Sequence, residues 1–273
     1  MIFESYRLDM VSRGIKPHSL LTYDRVARLF QEWTAGQDLR LEDVKPGHVQ
    51  LFLQQTGWAP RTQRTALCYL RAAYGYSVDM LEILERNPCK KVKLQRPEQK
   101  VPRTIPNRVL REVRAGVRDD KDALTLALFM WTGMRSIEVR RLQWWDVRFE
   151  ENVMLANGKG DRQRLVPIHP ELRKLLLRAQ GEKFHYVCPG RGGNAITTAG
   201  LHYRMKRIVG PDVQNHDFRR TVATSLRANR VDPYVRDAIM GWTRDEMFSA
   251  HYNAVSREEL MDGILVLYQN DPV

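Results

Sequence analysis

The sequence predicts a mainly α chain with one small β-sheet, an α+β protein built from two bodies. Three observations carry this. Apolar residues recur at helical spacing through most of the 273 residues. Only one stretch, between Val153 and Ile168, reads as a pair of strands around turn residues. A basic, proline-containing run near residue 95 separates two parts, each long enough to bury a core of its own. The expected bodies are residues 1–95 and 105–273, joined by a basic linker at 96–104, with a tail at 257–273.

In the first body, Leu20, Leu21, Val26, Leu29, Phe30 and Trp33 follow Pro17 and Ser19, a helix start. Val49, Leu51, Phe52 and Leu53 form a short apolar segment after Pro46-Gly47. From Arg61 to Tyr76, Leu67, Leu70, Ala73 and Tyr74 share one face, and Arg61, Arg64 and Arg71 share the other. That basic face suits a phosphate backbone, and it equally suits solvent. Asn87-Pro88 closes a bundle of four or five helices. Lys90 to Thr104 (KKVKLQRPEQKVPRT) reads as an extended linker, because Pro97 and Pro102 lack amide donors. Its Lys90, Lys91 and Lys93 are candidate phosphate contacts, with an ordinary solvated linker as the plainer reading.

In the second body, Asp122 to Trp131 is apolar almost all round and predicts a buried helix. Val153–Ala156 and Gln163–Ile168 predict a hairpin, with Asn157-Gly158-Lys159-Gly160-Asp161 at its tip. Further helices are expected from Glu171 to Gln180, after Pro170, and over residues 200–208, 216–229 and 232–240.

Composition narrows the function. The 44 Lys and Arg exceed the 32 Asp and Glu by 12, and the pI is about 9.8. Such an excess favours a polyanion, since each phosphate neutralised releases a counterion. No apolar run approaches the ~18 residues of a membrane span. The start, MIFESYRLDM, carries Glu4 and Asp9 and does not read as a signal peptide. Three scattered cysteines suggest neither a disulfide framework nor a zinc knuckle. The seven histidines show no ligand spacing, so no metal and no cofactor are expected. An intracellular protein with no membrane partner is the expectation.

Five short stretches carry chemistry. TGMRSIEVRRLQWWD delivers Arg135 from a helix-ending glycine onto the next helix, with Glu138 one turn on. GKGDRQRLVPI places Lys159 between two glycines on a turn, followed by Arg164. HDFRRTVAT sets His216 and Arg219 on one helical face. Met240-Gly241-Trp242 and His251-Tyr252-Asn253 complete the series. Each stretch alone has a plain structural reading: a surface arginine, a loop lysine, a structural histidine, a core tryptophan.

In this order, Arg135, Lys159, His216, Arg219, Trp242 and Tyr252 resemble the active-site set of the tyrosine recombinases, also called the phage-integrase family. The resemblance covers nearly the whole chain. Residues 1–95, ending in NPCKKV, resemble the family's helical core-binding (SAM-like) domain. Two departures stand out. Trp242 stands where many members carry histidine, and the ten-residue gap to Tyr252 is about one longer than the family spacing.

The resemblance implies an enzyme that cuts and rejoins DNA through a 3′-phosphotyrosyl intermediate, with no metal or ATP. Arg135 and Arg219 would neutralise the scissile phosphate and Tyr252 would attack it. His216 would take or shuttle the tyrosine's proton, and Lys159 would protonate the departing 5′ oxygen. Trp242 would donate one N–H, and Glu138 would orient Arg135 or Lys159. The implied partners are double-stranded attachment (core) sites and three further copies, forming a tetramer on two duplexes. Accessory or directionality proteins are further candidates. The expected location is the cytoplasm of a bacterial or archaeal host, at the nucleoid. The apolar stripe Leu260, Ile264, Leu267 and Tyr268 is expected to pack in trans on a neighbour, with packing in cis the alternative. The chain begins directly in the core-binding bundle, so it reads as a simple member without an arm-binding domain. Integration or excision of a phage or mobile element is the leading reading, with Xer-like dimer resolution the alternative. A type IB topoisomerase and a non-catalytic DNA-binding regulator are the rivals from other classes.

Overall fold

The chain divides into two units, Met1–Lys100 and Val101–Val273. The computed structural model describes residues 1–98, 101–117, 119–158, 163–180, 184–242 and 255–268.

The first unit contains helices α1 (Ile2–Ser12), α2 (Pro17–Gly36), α3 (Pro46–Gln55) and α4 (Pro60–Asp79). The last three open on proline, whose missing N–H is no loss in a first turn. Their core is aromatic. Phe30 is fully buried and meets Phe52 edge-on at 4.9 Å and Phe3 at 6.0 Å. Leu67, Leu70, Ala73 and Tyr74 are buried on α4, as the periodicity requires, while Arg61 and Arg64 are exposed. Helix α1 escapes the sequence reading because exposed Leu8 and Val11 blur a stripe that buries only Ile2, Phe3 and Met10.

Arg71 is engaged within the protein. Its guanidinium donates to the carbonyls of Cys89 (3.3 and 3.2 Å) and Val92 (3.4 Å). Val92 is buried in this core and Leu94 packs against it. Residues 90–94 are therefore folded onto the bundle, a correction to the reading of the whole basic run as extended linker. Buried Val92 and the three hydrogen bonds from Arg71 outweigh the local charge. Lys90, Lys91 and Lys93 remain exposed.

The second unit is built around α6 (Asp120–Thr132), in which every residue from Leu124 to Thr132 is buried. Asp119 caps it, accepting from the amides of Lys121 (2.7 Å) and Asp122 (3.4 Å). Helix α5 (Asn107–Gly116) precedes it and α7 (Ser136–Arg141) follows. A three-stranded antiparallel sheet has the order β1 (Val147–Arg148), β2 (Val153–Asn157), β3 (Gln163–Pro167). The β2–β3 register runs from Val153 opposite Pro167 to Asn157 opposite Gln163. The hairpin was legible in the sequence; β1, two residues long, was not. Helices α8 (Pro170–Ala179), α9 (Thr198–Val209), α10 (Asn215–Ala228), α11 (Pro233–Met240) and α12 (Arg257–Leu265) complete the described elements. Helices α8, α9 and α10 pack on α6, and α11 packs on α10, β3 and α12.

The stripe that begins on α12 and ends just past it lies in cis, against the expectation of packing in trans. Leu260, Ile264, Leu267 and Tyr268 are all buried in their own unit's core. Tyr268 sets its ring edge-on to Trp131 at 5.0 Å and donates its hydroxyl to the Met130 carbonyl at 3.2 Å. Gly263 permits the approach: a Cβ there would lie 2.8 Å from a Val235 methyl. Trp131 also stacks on His169 at 4.0 Å. His169 caps α8, its Nδ1 accepting from the Glu171 amide at 3.2 Å.

Ile264→Ala is expected to cost about 2–5 kcal/mol of stability, read by denaturant unfolding. A stripe reserved for a neighbour would make that change nearly neutral. Burial lowers the His169 pKa from 6.5 to about 4; Glu171 opposes the shift, and Arg114 and Lys174 add to it. The unfolded chain therefore binds the extra proton between these values, and stability falls as pH drops through that window. The loss should reach about 3 kcal/mol by pH 4 and be absent in His169→Gln, measured as unfolding free energy against pH.

Candidate active site

Gly133 ends α6 in the left-handed conformation, φ 61°, where a Cβ would crowd Val222 and Met240 at 3.1–3.2 Å. The corner hands Arg135 to the N-cap of α7, with Glu138 at the third helical position. Glu138 is 1% exposed. Its Oε2 accepts from the Arg135 amide at 2.6 Å and its Oε1 from Arg135 Nη1 at 2.8 Å. Arg164, on β3, reaches the same carboxylate, with Nη2 3.1 Å from Oε2.

A second anchor is the C-terminal end of α11. Three successive carbonyls there each receive one guanidinium. Arg164 Nε donates to Ile239 at 3.1 Å, Arg219 Nη2 to Met240, and Arg135 Nη2 to Gly241 at 3.1 Å. Helix ends leave such carbonyls unpaired, and the dipole makes them negative, so cations settle there. Arg219 also donates to the Gly133 carbonyl at 2.7 Å, which ties α10 to the α6 corner. Asn215 Nδ2 donates to Ser136 Oγ at 3.2 Å, linking the first turns of α10 and α7.

The cluster holds more positive charge than it balances. One carboxylate faces three guanidiniums. Burial pushes Arg219 down to about 9, with Arg135 and Arg164 adding to the shift and Glu138 opposing it. Burial likewise lowers Arg164 to about 10; Glu138 opposes this and Arg135 adds to it. Such a site favours an anion, and planar forks suit phosphate oxygens. Arg135 is the member left partly open, its side chain 35% exposed.

His216 lies in the first turn of α10. Its ring reaches the surface, yet its packed part lowers the pKa below 6.5; Arg220, Arg219 and Arg135 reinforce this and Asp217 opposes it. It is thus neutral near pH 7 and free to accept a proton. The Trp242 ring has Arg219 and Arg236 each 5.8 Å from its centroid, and its amide donates to the Asp237 carbonyl at 2.9 Å.

Of the sequence-derived candidates, Arg135, Glu138, Arg219 and Trp242 meet around the α11 end, and His216 sits one turn before Arg219. Lys159 and Tyr252 lie outside the described residues. Arg61, Arg64, Arg71, Lys90, Lys91 and Lys93 belong to the first unit. Arg164 is the member of this cluster that the motif series does not single out. Its signal is the two-residue period of β3, which puts it on the side of buried Val166. Among the described residues, no group of three His, Cys, Asp or Glu could hold a metal, and no helix is long and apolar enough to cross a membrane.

The model of the phage integrase family matches residues 107–259, more than half of the chain. The chain belongs to this family. Its relatives include the tyrosine recombinase XerD of Lacticaseibacillus casei, 25% identical over 274 residues and 92% of each chain. XerD of Pseudomonas aeruginosa is 24% identical, over 92% of this chain and 91% of its own. Among solved structures, a lambda integrase(75–356) dimer bound to a COC′ core site superposes with a TM-score of 0.73 at 15% identity, covering 93% of this chain and 97% of that one. The integrase from mycobacterium phage Brujita gives 0.55 at 17%, covering 97% and 91%. These likenesses bear out the expected fold, a mainly helical chain with a small sheet. The protein is a tyrosine recombinase, an enzyme of site-specific recombination.

Glu138→Ala removes the only carboxylate hydrogen-bonded to this guanidinium cluster among the described residues. It is expected to cost about 3–5 kcal/mol, because it strands buried charge. Urea unfolding of the variant checks this, and Glu138→Gln should fall between the two.

Proposed function

We propose that this recombinase cuts and rejoins duplex DNA at a core site through a 3′-phosphotyrosyl bond to Tyr252. The observation that carries the reading is the excess of two positive charges at the α11 end, beside a neutral histidine. Attack on a phosphodiester builds negative charge on a pentavalent phosphorus, and preorganised guanidiniums stabilise it without rearrangement. The Tyr252 oxygen bonds to phosphorus as the bond to the 5′ oxygen breaks. His216 accepts the phenol proton and Lys159 gives one to the leaving oxygen. Arg135 and Arg219 hold the non-bridging oxygens, Trp242 N–H adds one donor, and Glu138 orients Arg135. The phosphotyrosyl bond keeps the energy of the broken ester, so a 5′-OH from a partner duplex reverses the step.

In this reading the first unit is the core-binding domain. Arg61, Arg64, Lys90, Lys91 and Lys93 face the phosphate backbone, while Arg71 braces the segment that bears the lysines. Four copies act on two duplexes. A lambda integrase tetramer bound to a Holliday junction shares the fold, with a TM-score of 0.72. Integration or excision of a phage or mobile element is the proposed use, with accessory proteins setting direction. Xer-type resolution is the second reading, favoured by the XerD relatives that match at nearly full length.

The test is incubation with a nicked suicide duplex in EDTA. A covalent adduct is expected, and Tyr252→Phe should abolish it while binding persists. Binding without adduct by the unmutated chain overturns the reading in favour of a regulator. Relaxation of supercoiled DNA by a monomer would instead indicate a topoisomerase. Recombination between two identical sites, with none between unlike sites, favours the Xer-type use.

A further inference from the structure

We propose that Arg164 is a positioning residue for strand transfer: it locks Glu138 and the Ile239–Gly241 corner to β3, and thereby sets where Arg135, Arg219 and Trp242 point. The inference rests on the strand-transfer reading above and gives a role to a residue which that reading does not use.

Three observations carry it. The Arg164 side chain is only 12% exposed and makes two directional bonds to different elements, Nη2 to Glu138 on α7 and Nε to the Ile239 carbonyl on α11. It therefore joins α7, β3 and α11 at one point. Its Nη1 is buried and has no hydrogen-bond partner among the described residues. A buried orphan donor costs roughly 1–3 kcal/mol, and an apolar side chain of similar volume would hold these elements together without it. Stability alone thus gives a poor account of an arginine here.

The third observation is steric. Gly241 has φ 60°, and a Cβ on it would lie 2.5 Å from Arg164 Cδ and 2.7 Å from Nε. The backbone of the corner rests directly on the arginine side chain. That corner also supplies the Gly241 carbonyl to Arg135 and leads straight into Trp242. Glu138 in turn has both oxygens committed, Oε1 to Arg135 and Oε2 to Arg164 and the Arg135 amide. Take away Arg164 and both supports of Arg135, the carboxylate and the corner carbonyl, lose their brace. Lysine cannot replace it, since a single ammonium on a flexible stem does not span two acceptors in fixed directions. Buried as it is, Arg164 does not touch DNA; it acts through its neighbours.

The experiment is single-turnover cleavage of the suicide duplex at saturating protein, with duplex affinity and thermal unfolding measured alongside. Arg164→Lys is expected to slow cleavage by ~100-fold, the scale of a misplacement of about 1 Å, and to leave duplex affinity within about twofold. Gly241→Ala keeps Arg164 but pushes it aside, and should show the same split between rate and affinity. The double variant should be no slower than Arg164→Lys alone, because both changes act through one contact. If Arg164→Lys does not fold, Gly241→Ala decides the matter by itself. Cleavage by Arg164→Lys within about threefold of the unmutated rate overturns the proposal, as do losses that multiply in the double variant, or losses that appear in affinity rather than rate. An unmutated chain that forms no adduct overturns strand transfer itself, and the role of Arg164 with it.

Discussion

The second unit depends on one electrostatic arrangement: three guanidiniums held by a single buried carboxylate and the last carbonyls of one short helix. Helix α11 is eight residues long, yet its end receives Arg164, Arg219 and Arg135 on successive carbonyls. Carbonyls that a helix cannot pair, and that water would otherwise satisfy, hold cations that would otherwise repel one another. Glu138 supplies the only full negative charge hydrogen-bonded to them among the described residues. The arrangement is short of negative charge, and a preorganised excess of positive charge suits an anion.

The surrounding fold serves this point. Gly133 turns α6 sharply enough for Arg135 to take the N-cap position of α7, and Gly241 leaves room for the Arg164 side chain. Both glycines have positive φ; a Cβ on Gly241 would collide with Arg164, and one on Gly133 would crowd the Val222 and Met240 side chains. Helix α12 packs on α11 and β3, with Gly263 close against Val235, and Tyr268, just past the helix end, lies edge-on to Trp131. The position of α11, and so of the carbonyls that hold the arginines, is set by packing on α10, β3 and α12 together.

Much of this was legible in the sequence. The buried helix α6, the hairpin and the helices α8 to α11 follow from periodicity and turn residues, since a helix or strand that buries one face must repeat its apolar residues at a fixed spacing. The pairing of Arg135 with Glu138 follows from three-residue spacing on a helix. Other features left weak signals. Helix α1 and strand β1 bury too few residues to show a period. Arg71 looked like part of a basic face because the residues it holds, Cys89 and Val92, lie about twenty positions away. The stripe on α12 was visible, but no spacing tells whether an apolar face meets its own chain or another.

Helical composition, the single hairpin, the basic charge and the ordered motifs of a tyrosine recombinase are all readable from the order of residues alone. These are properties of local spacing and residue chemistry, and they survive without coordinates. It takes the folded chain to bring three arginines from α7, β3 and α10 to one helix end, to put Arg164 among them, and to bury the tail stripe in cis. Each of these joins residues far apart in the chain, through carbonyls and glycines whose role depends on position rather than on side-chain type.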